Sequence, residues 1–442
     1  MLFPLATRAW RGHPGSHQRR DAPKDRVRVI LPSVSTHALQ RRTIATLAGS
    51  QVLGGVGVSA GAAVGALLAA DVSGSEAWAG LGGTAQTLGG ALAAIVIARI
   101  MAAKGRRPGL VTGYAMAIAG GLLIVGAAVV GSFALLLLGF LLFGGATAAN
   151  SQARFAATDL ADDVHKGRHL SVVVWATTIG AVAGPNLTGP GRWVAQQLHL
   201  PVLVGPYVLS LVGILLAGLV LTLALRPDPL LTARALQVDH VEPGEDHAPP
   251  ATGWAAIHTR PDALTGVLAM ALGHTVMVSV MIMTPIHMRH GDATLEVIGL
   301  VISLHVVGMY AFSPVTGWAV DRWGARSVIG AGSLLLLTAS LLAASSREGQ
   351  SLALTAALFV LGLGWSCTLI AGSTLLTAAI PLRQRPAAQG LADVAMGLAG
   401  GGGGALAGLI VGWWGYQALG LLAGGTALLV GLLVPLGRRR GC

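Results

Sequence analysis

The chain has 442 residues, of which 53% are hydrophobic and only 11% charged, with a mean hydropathy of +0.70. So few charges cannot cover a water-facing surface of ordinary size, which excludes a soluble globular protein. The net charge of +11 and pI near 10.9 come from basic residues that punctuate apolar segments and form no stripe with interleaved aromatics, so they read as topology signals facing anionic lipid and not as a nucleic-acid surface.

Residues 1–42 are a basic tail with Arg8, Arg11, Arg19, Arg20, Lys24, Arg26 and Arg28 and no apolar run long enough for a secretory signal. Disorder is the expectation there. An organellar transit peptide or an over-extended start site would both account for its composition. Apolar segments of roughly 20 or more residues then follow, each long enough to span a hydrocarbon core. They lie at 43–70, 77–101, 109–130, 132–156, 169–193 and 201–225, and after a gap at 262–286, 294–319, 327–345, 351–380, 386–411 and 416–436. The gap, 226–261, carries prolines and acids such as Pro243-Gly244-Glu245-Asp246 and reads as a linker between two six-helix halves, 43–225 and 262–436, with a short basic tail at 437–442. The expected fold is thus an all-α integral membrane protein of twelve transmembrane helices.

Of the 29 Lys and Arg residues, only Arg192, Arg289 and Arg347 fall in gaps on one side, and the remaining 26 lie at the other side or in the tails. Basic residues are retained on the cytoplasmic side, so both termini are expected there, in a multi-pass protein of the cell membrane. Cys367 sits inside an apolar segment and Cys442 is terminal, so neither a disulfide nor a Cys-based metal site is expected.

The halves repeat one another. Gly105-Arg106-Arg107 and Gly324-Ala325-Arg326 stand 219 residues apart, and Arg168 and Arg385 stand 217 apart. From these arginines the same offset reaches Gly180 and Gly397, then Gly184 and Gly401. A period of half the chain implies parallel repeats about an axis along the membrane normal, with substrate bound between them.

On these residues the chain resembles the major facilitator superfamily from about residue 43 to 436. The stretch Gly317-Trp318-Ala319-Val320-Asp321-Arg322-Trp323-Gly324-Ala325-Arg326 matches that family's signature loop between the second and third helices of a half. In the first half Gly105, Arg106 and Arg107 are kept, but Ala102 stands where the family has an acid, so the gate contact of that carboxylate is expected to be absent or relocated. The resemblance implies the major facilitator fold, two six-helix pseudo-repeat bundles. In segment 5, Gly180, Gly184, Pro185 and Gly189 are similar to the Gly-Pro motif of the family's proton-coupled drug antiporters, which implies export. Close helix packing through small residues is the alternative reading of the same glycines. Phe140 replaces the arginine that many antiporters carry four residues before the glycine of helix 4, here Gly144, so any proton coupling must use other groups.

Asp393 is the first such group: eight residues past Arg385, it lies about 12 Å along the helix from the membrane edge. A carboxylate at that depth either serves transport or bonds to a neighbouring helix. His274 and His305 reach the midplane by the same arithmetic and are candidates for proton relay, or else neutral histidines satisfied by carbonyls. Trp175, Asn186, Met277, Met281, Tyr310 and Trp365 are candidates for cavity lining, with core packing as the alternative. Met277, Met281 and Met288 with His287 and His290 also raise a metal or metal-chelate cargo. The glycine run in segment 11 predicts a flexible or tightly crossed helix. Most of Asn150, Gln152, Arg154, Asp159, Asp162, Asp163, Lys166 and Arg168 read as a solvated loop.

Two apparent catalytic motifs fail on context. Gly57-Val58-Ser59-Ala60-Gly61 lies inside a membrane segment without a strand before it, and His240, Glu242 and His247 match no helical zinc spacing. No phosphate-cradling loop precedes a Lys-Ser/Thr pair. The expectation is therefore a non-enzymatic secondary transporter, monomeric and without cofactor, that exports a small amphipathic compound or drug by proton antiport with alternating access. A membrane receptor or scaffold without transport is the reading from another class.

Overall fold

The computed structural model describes residues 36–75, 78–238, 252–347 and 351–436. Regular structure among them is helical throughout. The first half holds α1 (Thr36–Ser73), α2 (Ala79–Lys104), α3 (Arg106–Val130), α4 (Phe133–Ala156), α5 (Lys166–Asn186), α6 (Thr188–Gln197) and α7 (Gly205–Ala224). The linker contributes two short helices, α8 (Pro229–Val238) and α9 (Gly253–His258). The second half holds α10 (Pro261–His290), α11 (Leu295–Tyr310), α12 (Ser313–Trp323), α13 (Ala325–Ser345), α14 (Ser351–Ala379) and α15 (Arg385–Leu436). Ten helical stretches are long and apolar enough to cross a membrane, and the α5–α6 pair adds another. Since α15 divides at Gly415, the described residues hold twelve candidate crossings.

Helix ends follow local chemistry. Gly105 (φ 95°) and Gly324 (φ 84°), equivalent positions of the repeat, turn the chain between α2 and α3 and between α12 and α13 in a region that a Cβ disfavours. The sequence predicts one bent helix over 169–193, and the chain indeed bends there, by 54° between α5 and α6, just past Pro185. The span expected over 294–319 is present as one stretch, Val297–Trp323, with a short interruption inside it. Pro314 offers no N–H to the Tyr310 carbonyl, which takes the Ser313 hydroxyl instead at 2.6 Å, so α11 and α12 separate. The glycine run of α15 remains helical: Gly400, Gly403 and Gly404 press on α10, while Gly401 and Gly402 touch nothing beyond their own helix.

Apolar side chains gather into two main cores. One draws on residues 47–225, including Leu47, Tyr114, Phe143 and Tyr207. The other draws on the second half, with Phe155, Leu170 and Val174 reaching in from α4 and α5. Halves meet along two helix pairs, α2 with α15 and α5 with α12. The linker is more ordered than its prolines suggest: Asp228 accepts from Arg107 N at 2.7 Å and Arg234 donates to the Ala102 carbonyl at 3.0 Å, which docks α8 under the first half. His240, Glu242, His247, the tail before residue 36 and Arg438 to Arg440 lie outside the described residues.

Candidate functional site

Contacts between the halves concentrate at the end of the bundle where the basic residues cluster, called the basic end below. The first N–H groups of a helix have no partner within it, and at α5 two of them find one across the boundary. Gly167 N and Arg168 N donate to the Asp321 carboxylate at 2.8 and 3.0 Å, a cap that also suits the helix dipole. Beside it, Ser313 donates to the Ser171 carbonyl, and a Cβ on Gly317 would fall 2.5 Å from the Gly167 oxygen. Thus Asp321 and Gly317 of the signature loop close the α5–α12 seam. Where the first half has Ala102, no carboxylate caps α15 from α2. There α2 meets α15 in close packing, with a Cβ on Gly390 falling 2.5 Å from Ala98 Cβ.

Deeper in, polar side chains cross the boundary. Asp393 of α15 accepts from Arg154 Nη2 at 2.5 Å and from Gln152 Nε2 at 2.7 Å, both on α4, with Ser151 Oγ at 3.4 Å. Arg154 also donates to Ser151 and, across the boundary, to Ser373 of α14. One turn earlier on α15, Gln389 accepts from Arg106 Nη2 at 2.8 Å and donates to Thr377. Arg106 in turn forms a bidentate pair with Asp159 at 2.7 and 2.9 Å, both side chains fully buried. Two arginines of the first half therefore hold one face of α15 through two of its side chains.

Reading Arg154 and Asp159 as part of a solvated loop is corrected by this geometry, since both are almost inaccessible. Asp393 carries the signal for this, since a buried carboxylate requires a buried donor and Arg154 is the one basic residue inside segment 132–156.

Away from the basic end the halves diverge. On α15 a Cβ at Gly390 would overlap Ala98, one at Gly397 would lie 4.0 Å from Ala91, and one at Gly401 would meet nothing within 4 Å. On α5, Ser171 is fully buried against α12, whereas Trp175 and Val182 on the same face are 41% and 51% exposed. The molecule is closed at the basic end and open at the other.

His274 borders this cleft. Its Nδ1 accepts from Trp365 Nε1 at 2.9 Å, and Tyr310 stands edge-on to Trp365 with centroids 5.6 Å apart. His305 lies elsewhere, fully buried with Nδ1 2.7 Å from the Leu358 carbonyl. The two histidines thus serve different contacts. Met277 and Met288 are buried in the core of the second half and Met281 packs against it, while His287 stacks on Tyr416 at 4.2 Å. Among the described residues no three His, Cys, Asp or Glu side chains gather as a metal site would require. Asn186 is exposed at the end of α5 and bonds back to the Val182 carbonyl.

Gly180 and Gly184 pack α5 onto α1: a Cβ would fall 2.6 Å from the Gly55 carbonyl carbon or 2.3 Å from Ser59 Cβ, respectively. Pro185 precedes the bend, and Gly189 touches nothing within 4 Å. Arg326 pairs with Asp262 and donates to the Val434 carbonyl, while Arg322 is exposed. Gly57 to Gly61 lie inside α1, where Ser210 bonds the Gly57 carbonyl.

The sequence profile of the Major Facilitator Superfamily matches residues 45–295 and 268–440 of this chain. The chain belongs to this superfamily. It is a multi-pass membrane transporter of a small molecule, and not an enzyme. Over 386 residues it is 39% identical to the uncharacterized MFS-type transporter YdeG of Bacillus subtilis, covering 87% of this chain and 89% of that one. It is 27% identical over 356 residues to the riboflavin transporter RfnT of Brucella anthropi, covering 80% and 85%. The human organic anion transporter MFSD10 (TETRAN) shares the fold with a TM-score of 0.70 at 17% identity, over 89% of this chain and 99% of that one.

Proposed function

We propose that this transporter exports a small amphipathic compound across the cell membrane in exchange for protons, with both termini in the cytoplasm. The distribution of basic residues supports that orientation, which makes the basic end cytoplasmic and the cleft outward-facing. One observation carries the coupling: Asp393 of one half is held by Arg154 and Gln152 of the other at the seam that must part for inward opening. A proton reaching Asp393 from the cleft removes the negative charge that binds Arg154. The halves then separate at the basic end, the proton leaves to the cytoplasm and cargo enters between the halves. Reforming the ion pair closes that end again and presents cargo outward. Riboflavin, the compound for which RfnT is named, is a fused-ring molecule of this amphipathic kind and a suitable probe.

Inverted membrane vesicles test the reading. With an acid lumen, wild-type protein is expected to accumulate riboflavin or ethidium above the level of protein-free vesicles, and Asp393→Asn to lose that gradient-driven accumulation while keeping downhill exchange. Undiminished accumulation in Asp393→Asn overturns the coupling role. Binding of both probes without any flux selects a receptor instead.

A further inference from the structure

Gly400 lies seven residues beyond Asp393, about 10 Å further from the basic end along the same helix. Over it sits the His274 ring, and a Cβ on Gly400 would fall 2.7 Å from His274 Nε2. Because an indole nitrogen only donates, His274 Nδ1 must accept from Trp365, and the single proton of the neutral ring sits on Nε2. A doubly protonated ring would set two donors against each other, so this contact belongs to neutral His274. Its Nε2–H has no hydrogen-bond partner among the described residues, and neither has the Tyr310 hydroxyl. His274 is only part-buried, so its ring is not sealed within the core of the second half.

Charge at this level is already paired. Asp393 is the carboxylate nearest in depth, and Arg154, Gln152 and Ser151 occupy it. The remaining acids whose side chains the structure describes lie toward the two ends of the bundle. A cation entering here meets no free carboxylate, whereas a carbonyl oxygen meets an unused donor beside an aromatic ring.

We propose that His274, Trp365 and Tyr310 form a subsite for a flat, uncharged aromatic compound bearing a ring carbonyl. The carbonyl accepts from His274 Nε2–H and the rings of the compound lie against Tyr310, which the buried Trp365 backs edge-on. Trp365 is in addition a positioning residue, since its N–H sets which imidazole nitrogen carries the proton. The subsite rests on the transport reading above and narrows its cargo to neutral carbonyl-bearing aromatics over lipophilic cations.

Equilibrium binding to the full chain in lipid nanodiscs, read by probe fluorescence, tests this without flux. Acridone and N-methylacridinium share one flat frame, but acridone is neutral with a ring carbonyl and the other carries a fixed positive charge. Acridone is expected to bind at least about tenfold more tightly, a difference typical of one desolvated hydrogen bond. His274→Ala should weaken acridone about tenfold and leave N-methylacridinium unchanged, and His274→Gln, which keeps a donor, should weaken it less. Trp365→Phe, which keeps an aromatic ring and removes the N–H, should also weaken acridone. Equal affinities, tighter binding of the cation, or no response to His274→Ala overturns the subsite, and the wild-type ratio decides even if a variant fails to fold. Acridone that binds but never crosses defeats the transport reading alone. Gradient-driven flux of riboflavin or ethidium with no acridone binding defeats the subsite alone.

Discussion

Arg106 and Asp159 are both fully buried, and each makes the other tolerable. A buried ion pair adds little net stability compared with apolar residues of the same volume, but removing one partner leaves an uncompensated charge at a cost of about 3–5 kcal/mol. Asp159→Asn is therefore expected to lower the thermal unfolding midpoint of the detergent-solubilised protein severely. Arg106→Met combined with Asp159→Leu should recover most of the loss. If the single variant unfolds at the wild-type temperature, the pair is not buried as the structure has it. Asp393 differs in kind, because its partners Arg154 and Gln152 lie on the opposite half and are separated when the seam parts.

Helices α1 and α5 approach so closely that glycine backbone forms the contact. A side chain at Gly180 must displace the backbone of Gly55, which is not a movable partner. Gly180→Val is expected to destabilise the protein by roughly 1–3 kcal/mol through overpacking, measured as a lower unfolding midpoint in detergent. Gly189→Ala, at a position with nothing within 4 Å, should leave the midpoint unchanged. An equal effect of both would mean that helix propensity, and not the α1–α5 contact, explains the glycines. Proline placement works at the same scale, since Pro185 precedes the 54° bend between α5 and α6 and Pro314 begins α12 after a short break.

Across the whole molecule, two bundles with largely separate cores meet along narrow seams, which suits rocking of one half on the other. The Cβ separation of 4.0 Å between Ala91 and a side chain at Gly397 falls within the range that a disulfide spans. In a background with Cys367→Ser and Cys442→Ser, the pair Ala91→Cys and Gly397→Cys is expected to cross-link under oxidation and to stop riboflavin flux, with recovery on reduction. Full-rate flux through a cross-linked protein would defeat alternating access between the halves.

The apolar segments, the two-half repeat and the signature loop were legible because each depends on local composition or on spacing along the chain. Bilayer thickness sets segment length, and the repeat preserves Gly105 and Gly324 where the backbone needs a positive φ. Asp393 stood out for the same reason, as a charge within an apolar run. Its partner did not: nothing in the order of residues says that Arg154, 239 positions away, faces it, or that Arg106 and Gln389 meet across 283. His274 and His305 look alike by depth, yet one borders the cleft and the other is sealed against Leu358, because rotation about the helix axis is set by packing on neighbouring helices. Sequence alone thus determined that the chain crosses a membrane twelve times in two related halves, since hydrophobicity and period are local properties. Which charges neutralise one another, which end is closed and which aromatic rings border the cleft were decided only when the helices packed, because those are distances between elements far apart along the chain.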